Sequence, residues 1–178
     1  ATGIAIFSRL AAAEAKIHRV TAEKVHFHEI GATDSIVDIM AAAIGAHELG
    51  IDAFHFSRIP LGRGLTRALH GPLPVPGPAT LELLKGLPVQ GIDLDGETVT
   101  PTGAAILSTL GKSFGVQPNM TIEKIGYGAG QRDFPNRPNL FRLVIGTDAT
   151  PWSQEEMLVI ETNIADMNPE FYDYVFDR

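Results

Sequence analysis

Residues 25–59 read VHFHEIGATDSIVDIMAAAIGAHELGIDAFHFSRI. Val25 to Ile30 alternates, which puts His26, His28 and Ile30 on one side of a short strand and Val25 and Phe27 on the other. A single helical turn is the other geometry these residues allow. Gly31-Ala32-Thr33 supplies a turn, and Thr33 or Asp34 can cap a helix that runs to about Leu49 and stops at Gly50. Ala53 to Ile59 alternates again and reads as a second strand.

The same alternation of helices and short strands continues outward. Ile6, Leu10, Ala13 and Ile17 recur at helical spacing and predict a helix over 4–17. Gly62, Gly64 and Gly71, with prolines at 60, 72, 74, 76 and 78, make the middle irregular. Pro72 to Pro76 is expected as extended, polyproline-like backbone, and Pro78 as the first turn of a helix through Lys85. Val89 to Val99 suggests a hairpin or two short strands. Thr100-Pro101-Thr102-Gly103 starts a further helix that ends near Gly111. Ile122–Tyr127 and Leu140–Ile145 read as strands around a loop rich in Gly, Pro and Arg, and Met157–Asn163 as another strand. The mixture predicts an α+β fold, with one main domain over 1–147, a linker over 148–156 and the opening of a second domain over 157–178. No internal repeat is present.

Composition narrows the chemistry. The 178 residues are 44% hydrophobic and 20% charged, enough to build a sizeable core. The net charge of −7 gives no reason to expect a nucleic-acid partner. With no cysteine, any metal site in these residues must use imidazole, carboxylate, carbonyl or water. The most apolar stretch, Ser35 to Leu49, is interrupted by Asp38, His47 and Glu48 and does not span a membrane. No basic segment followed by an apolar run opens the chain, so a cytoplasmic location is expected. Ala1 opens directly into a helical pattern and Phe171 to Arg178 begins an element that does not finish, as expected of a fragment.

On a strand, His26 and His28 share a face, and imidazole binds nickel, zinc and copper well. Asp34 and Asp38 lie four apart on one helix face close to its start. A turn at Gly31 that folds this helix back would bring imidazoles and carboxylates to one ion. Chance His-x-His spacing and a plain capping role for Asp34 account for the same residues without a metal. His47, His55 and His70 read as structural, and His18 suits a helix C-terminus. The helix start at Thr102 and Gly103 offers N–H groups and a positive dipole end to a phosphate, or is simply a well-capped helix. Arg132, Arg137 and Arg142 surround the glycine-rich run 126–130, and Arg58, Arg63 and Arg67 form a second basic group; either suits an anion or a solvated rim. Glu161 to Asn168, with Asn163 and Asp166, offers oxygen ligands of the kind magnesium or manganese takes.

Taken in order, these stretches resemble one family. They are VHFHEIGA at 25–32 with DSIVD at 34–38, HGPLPVP at 70–76, PATLELL at 78–84, TPTGAAIL at 100–107, GYGAG at 126–130, and ETNI at 161–164 running into Asp166-Met167. The chain resembles the LarC family of nickel-insertion proteins over nearly its whole length. That resemblance implies a cyclometallase of the lyase class, which inserts nickel into pyridinium-3,5-bisthiocarboxylic acid mononucleotide and so completes the nickel-pincer cofactor of lactate racemase. It implies dependence on CTP with magnesium or manganese, and an apo-racemase as client; self-association is compatible with it. His26, His28, Asp34 and Asp38 are then the expected nickel-handling residues. Thr102, Gly103 and Arg132 would receive phosphate or carboxylate of the substrate, and Asn163 and Asp166 would belong to the metal–nucleotide site. The family's acidic, glycine-rich N-terminal segment is not in the chain, and Ala165 stands where the family usually has a second Asp. The piece alone is therefore expected to bind little CTP and not to turn over. Two other function classes fit parts of the pattern: a metal-dependent hydrolase built on His-x-His, and a non-enzymatic metal carrier or scaffold.

Overall fold

The computed structural model describes residues 1–25, 33–68, 71–130, 132, 134 and 138–149. The chain divides into two compact units, Ala1–Pro118 and Asn119–Arg178.

In the first unit, helix α1 spans Thr2–His18 and closes at Arg19, whose left-handed backbone (φ 54°) lets the Val20 N–H reach the Ala15 carbonyl. A short 3-10 turn over Ala22–Lys24 follows. Helix α2 spans Thr33–Glu48, close to the expected bounds, and Gly50 (φ 62°) ends the turn after it. The expected strand over 25–30 lies outside the described residues beyond Val25.

The expected strand over 53–59 is two strands. Strand β1 (Phe54–Phe56) stops at Ser57, and β2 (Ile59–Arg63) starts after Arg58. They separate because they pair with different partners. β1 runs parallel to β6 (Gly111–Phe114), and β2 runs parallel to β5 (Val89–Asp95). The segment 89–99 is thus one strand, not a hairpin or two strands. It ends at Gly96 (φ 117°), whose N–H is held by the Arg63 carbonyl. Gly62 answers a second demand of this pair: a Cβ there would fall 2.1 Å from the Gly96 carbonyl oxygen. Thr98 secures the join, since its hydroxyl accepts the Gly62 N–H and donates to the Pro60 carbonyl.

Strand β3 (Leu65–Ala68) pairs antiparallel with β4 (Gly71–Pro74). The proline-rich segment is extended as expected, but its first half belongs to a ladder. Proline has no N–H to donate, so Pro72 and Pro74 fit only where the ladder asks for none, with Gly71 and Leu73 alternating between them. Helix α3 (Pro78–Leu83) begins at proline and gives way to a tighter turn through Lys85 rather than continuing as helix. Helix α4 (Pro101–Leu110) ends at Gly111, as expected.

The core lies where α1, α3 and α4 meet. It joins Ile6, Leu10 and Ala13 of α1, Ile39 of α2, Ile59 of β2, Leu83 and Leu84 at the end of α3, and Ala104 and Ala105 of α4. Lys16 of α1 and Lys85 both donate to the Glu82 carboxylate of α3 at 2.6 Å, tying the two helices at their rim. In the second unit, β7 (Met120–Ala129) and β8 (Leu140–Asp148) form one antiparallel ribbon with a bulge between Ile122 and Lys124. Helices with small sheets of both parallel and antiparallel pairing make an α+β fold. No helix among the described residues is long and apolar enough to cross a membrane.

Two outcomes follow. Ile39 is the fully buried anchor of α2, so Ile39→Ala should lower the urea-unfolding free energy by about 2–5 kcal/mol, whereas Ile36→Ala on the open face should change it by less than about 0.5. The Lys16 and Lys85 ammonium groups hold the Glu82 carboxyl below the usual carboxylate range. A carboxyl with a depressed folded pKa contributes stability above its unfolded value and loses it as pH falls through the folded one. Thermal midpoints of wild type and Glu82→Gln should therefore differ at pH 7 and converge as the pH is taken below the carboxylate range.

Candidate functional site

Two of the expected residue groups meet in space. α4 opens with Thr100 as its cap, Pro101 in its first turn and Thr102 next. The Thr100 hydroxyl accepts the Gly103 N–H at 3.1 Å, so that N–H is already engaged. Thr102 is turned inward, only 8% exposed, and its hydroxyl donates to the Ser35 hydroxyl of α2 at 3.3 Å. This link places the start of α4 against the start of α2.

Helical geometry explains why Ser35 makes the contact. At 100° per residue, Ser35, Ile39, Ala42 and Ala46 share one face of α2, and Ile39 on that face is fully buried. Asp34 and Asp38 sit to one side of that face and are exposed. The first turns of two helices, each with a positive dipole end, therefore lie together with two carboxylates on their open edge. Residues 26–32 lead directly into this helix start. His26 and His28 lie outside the described residues, as do His70, Arg137, Asn163 and Asp166. Among the described residues no group of three or more His, Asp or Glu side chains is arranged to hold a metal, so Asp34 and Asp38 have no third donor there.

Ser35 escaped the sequence reading, although the signal existed. It stands between Asp34 of the first turn and Ile36, four residues before the buried Ile39, on the inward face of the helix.

The remaining candidates lie elsewhere. Arg132 is exposed in the second unit, and its carbonyl accepts the Asn139 side-chain amide at 2.9 Å. Arg63 is not free for an anion; it pairs with Asp93 at 2.6 Å and Asp95 at 3.1 Å. His55 faces outward on β1, 2.6 Å from the Ser113 hydroxyl of β6, while Phe54, Phe56 and Phe114 pack together on the strands. His18 lies 3.3 Å from the Glu14 carboxylate one turn back.

The profile of the family described as nickel insertion protein matches residues 1–178. The chain is 56% identical over 173 residues to a putative nickel insertion protein of Geotalea daltonii, covering 97% of the chain and 44% of that relative. It is 50% identical over 179 residues to the pyridinium-3,5-bisthiocarboxylic acid mononucleotide nickel insertion protein of Desulfitobacterium hafniense, covering 97% and 44%. A putative nickel insertion protein of Syntrophobacter fumaroxidans is 49% identical over 175 residues, covering 98% and 45%. The chain thus spans less than half the length of these relatives. No solved structure matches it. A family profile matched from the first residue to the last, over motifs that include the α2 and α4 helix starts, places this chain in the nickel insertion protein family.

Proposed function

We propose that the whole protein inserts nickel into pyridinium-3,5-bisthiocarboxylic acid mononucleotide, and that the junction of α2 and α4 is where the metal and the mononucleotide are handled. The observation that carries this reading is the Thr102–Ser35 hydrogen bond, which joins the start of α4 to the start of α2, the helix that bears Asp34 and Asp38. The name of the Desulfitobacterium hafniense relative supports the substrate.

The chemistry then divides among named groups. His26 and His28, as neutral imidazoles, hold nickel before transfer. Asp34 and Asp38 balance its charge or accept the imidazole N–H groups. The dipole end of α4 faces the phosphate of the mononucleotide, and the inward Thr102 hydroxyl holds that helix start to Ser35 of α2. Thiocarboxylates at ring positions 3 and 5 flank carbon 4, so a nickel–carbon bond between them displaces the proton of that carbon. A carboxylate beside the metal is the group here that can accept it. Arg132, in the second unit, is proposed separately as a partner for an anionic group of the substrate. We further propose that turnover requires CTP with magnesium or manganese, that Asn163 and Asp166 open the nucleotide-binding part over 157–178 after a linker at 148–156, and that the product serves lactate racemase or a related client in the cytoplasm.

Calorimetric titration with nickel tests the first role. The chain should bind nickel, and the His26→Ala/His28→Ala pair should abolish binding; unchanged binding by that pair would remove both histidines from the site. Asp34→Asn and Asp38→Asn should each weaken it by about 10–100-fold. Thr102→Val removes the hydroxyl and should cost about 1 kcal/mol of stability through the lost Ser35 contact. In the full-length protein it should also raise the Kd for the mononucleotide without changing that for nickel. If mononucleotide affinity is untouched while the fold is loosened, Thr102 is structural only.

A further inference from the structure

We propose that residues 157–163 add a third strand to the free edge of β8, in the second unit. Among the described residues β7 and β8 pair only with each other. An isolated two-stranded ribbon is marginal in water, and three or more strands are needed for independent stability. This ribbon is also apolar on both faces. Ile125, Tyr127, Leu140 and Val144 share one face, and Phe141, Leu143 and Ile145 share the other. Ile125, Tyr127 and Phe141 are each more than half exposed. Alternate residues of β8 turn their N–H and C=O groups away from β7, and that open row is a template for another strand.

Chain order and connection length select both the occupant and the edge. Residues 150–178 follow β8 closely and lie outside the described residues. The unit that holds the ribbon is Asn119–Arg178, so they group with it rather than with the first unit. Within them, 157–163 reads MLVIETN. Its opening run, Met157-Leu158-Val159-Ile160, is apolar on both sides of a strand, as β8 is, so the two match as neighbours in one sheet. Eight residues, 149–156, join β8 to this run. Neighbouring strands lie about 4.8 Å apart. Antiparallel neighbours accept short connections, whereas a parallel neighbour needs a dozen residues or more. β7 begins beside the end of β8, with Met120 opposite Asp148. A strand returning from that end is antiparallel to β8 and parallel to β7, so the short connection selects β8. A tether of this length also sets an effective concentration on the order of millimolar. That favours this segment over the β8 edge of a second copy, which carries the same net charge of −7. Antiparallel pairing carries Asn163 toward the Leu140 end of β8, the end where Tyr127 and Arg142 are partners. The pairing goes beyond the nickel reading and stands without it.

Nuclear magnetic resonance on the isotope-labelled 178-residue chain tests the pairing. Cross-strand Hα–Hα Overhauser contacts between 157–163 and β8 are expected. Ile160→Pro removes one N–H from the new ladder and blocks its continuation. It should speed hydrogen exchange of the outward β8 amides at least about tenfold and leave the α1 and α4 amides unchanged. Absence of contacts between 157–163 and β8 in the wild-type chain would overturn the proposal, whether or not Ile160→Pro folds. Contacts to the outer edge of β7 instead would do the same. So would contacts seen only between differently labelled copies, which assign the edge to a second copy. A folded Ile160→Pro chain with unchanged β8 exchange would overturn it equally.

Discussion

The first unit depends on a helix contact made by very small side chains. Ala13 of α1 and Ala104 and Ala105 of α4 are buried where these helices meet α3. How closely helices approach is set by the side chains between them, and alanine permits the closest spacing short of glycine. Larger residues enter around that seam: Ile6 and Leu10 from α1, Leu83 and Leu84 from α3, Ile59 from β2. The position of α4 follows from this packing, and with it the position of Thr102, just ahead of the buried alanines in the first turn.

From there the arrangement passes to α2. That helix has a single fully buried large residue, Ile39, and one polar link to α4, Ser35 to Thr102. Each is modest, a few kcal/mol for the isoleucine and about one for the hydroxyl pair. Together they set both the depth and the rotation of α2, because the two residues lie on the same face one turn apart. The rotation leaves Asp34 and Asp38 on the open edge beside two helix starts. Positive dipole ends thus lie next to carboxylates on that edge. Engagement of the Gly103 N–H by Thr100 and of the Thr102 hydroxyl by Ser35 leaves the dipole as what this helix start offers.

Local signals were legible wherever they acted within a few residues. The helical spacing of Ile6, Leu10 and Ala13, the Thr100 cap with Pro101 after it, proline at the start of α3 and the stop at Gly111 all appear in the structure. Errors arose where pairing partners lie far apart in sequence. Nothing between Ala53 and Ile59 announces that Phe54–Phe56 will pair near residue 111 and Ile59–Arg63 near residue 89. Parallel partners are joined by long connections, so a strand's neighbour cannot be read from the strand itself. For the same reason 89–99 looked like a hairpin, although its partner stands some thirty residues earlier.

For the site, the sequence by itself determined the chemical inventory: no thiolates, a His-x-His pair, two aspartates four apart, and a capped helix start at Thr102. It also determined family membership, because several long motifs in one order are far more specific than any of them alone. Only the tertiary structure decided that the α2 aspartates and the α4 start share one place, and that Ser35 joins them. The physical reason is distance along the chain. Ser35 and Thr102 are 67 residues apart, and their meeting is fixed by how Ile39 and Ala104–Ala105 fill one core, a packing outcome that no local pattern encodes.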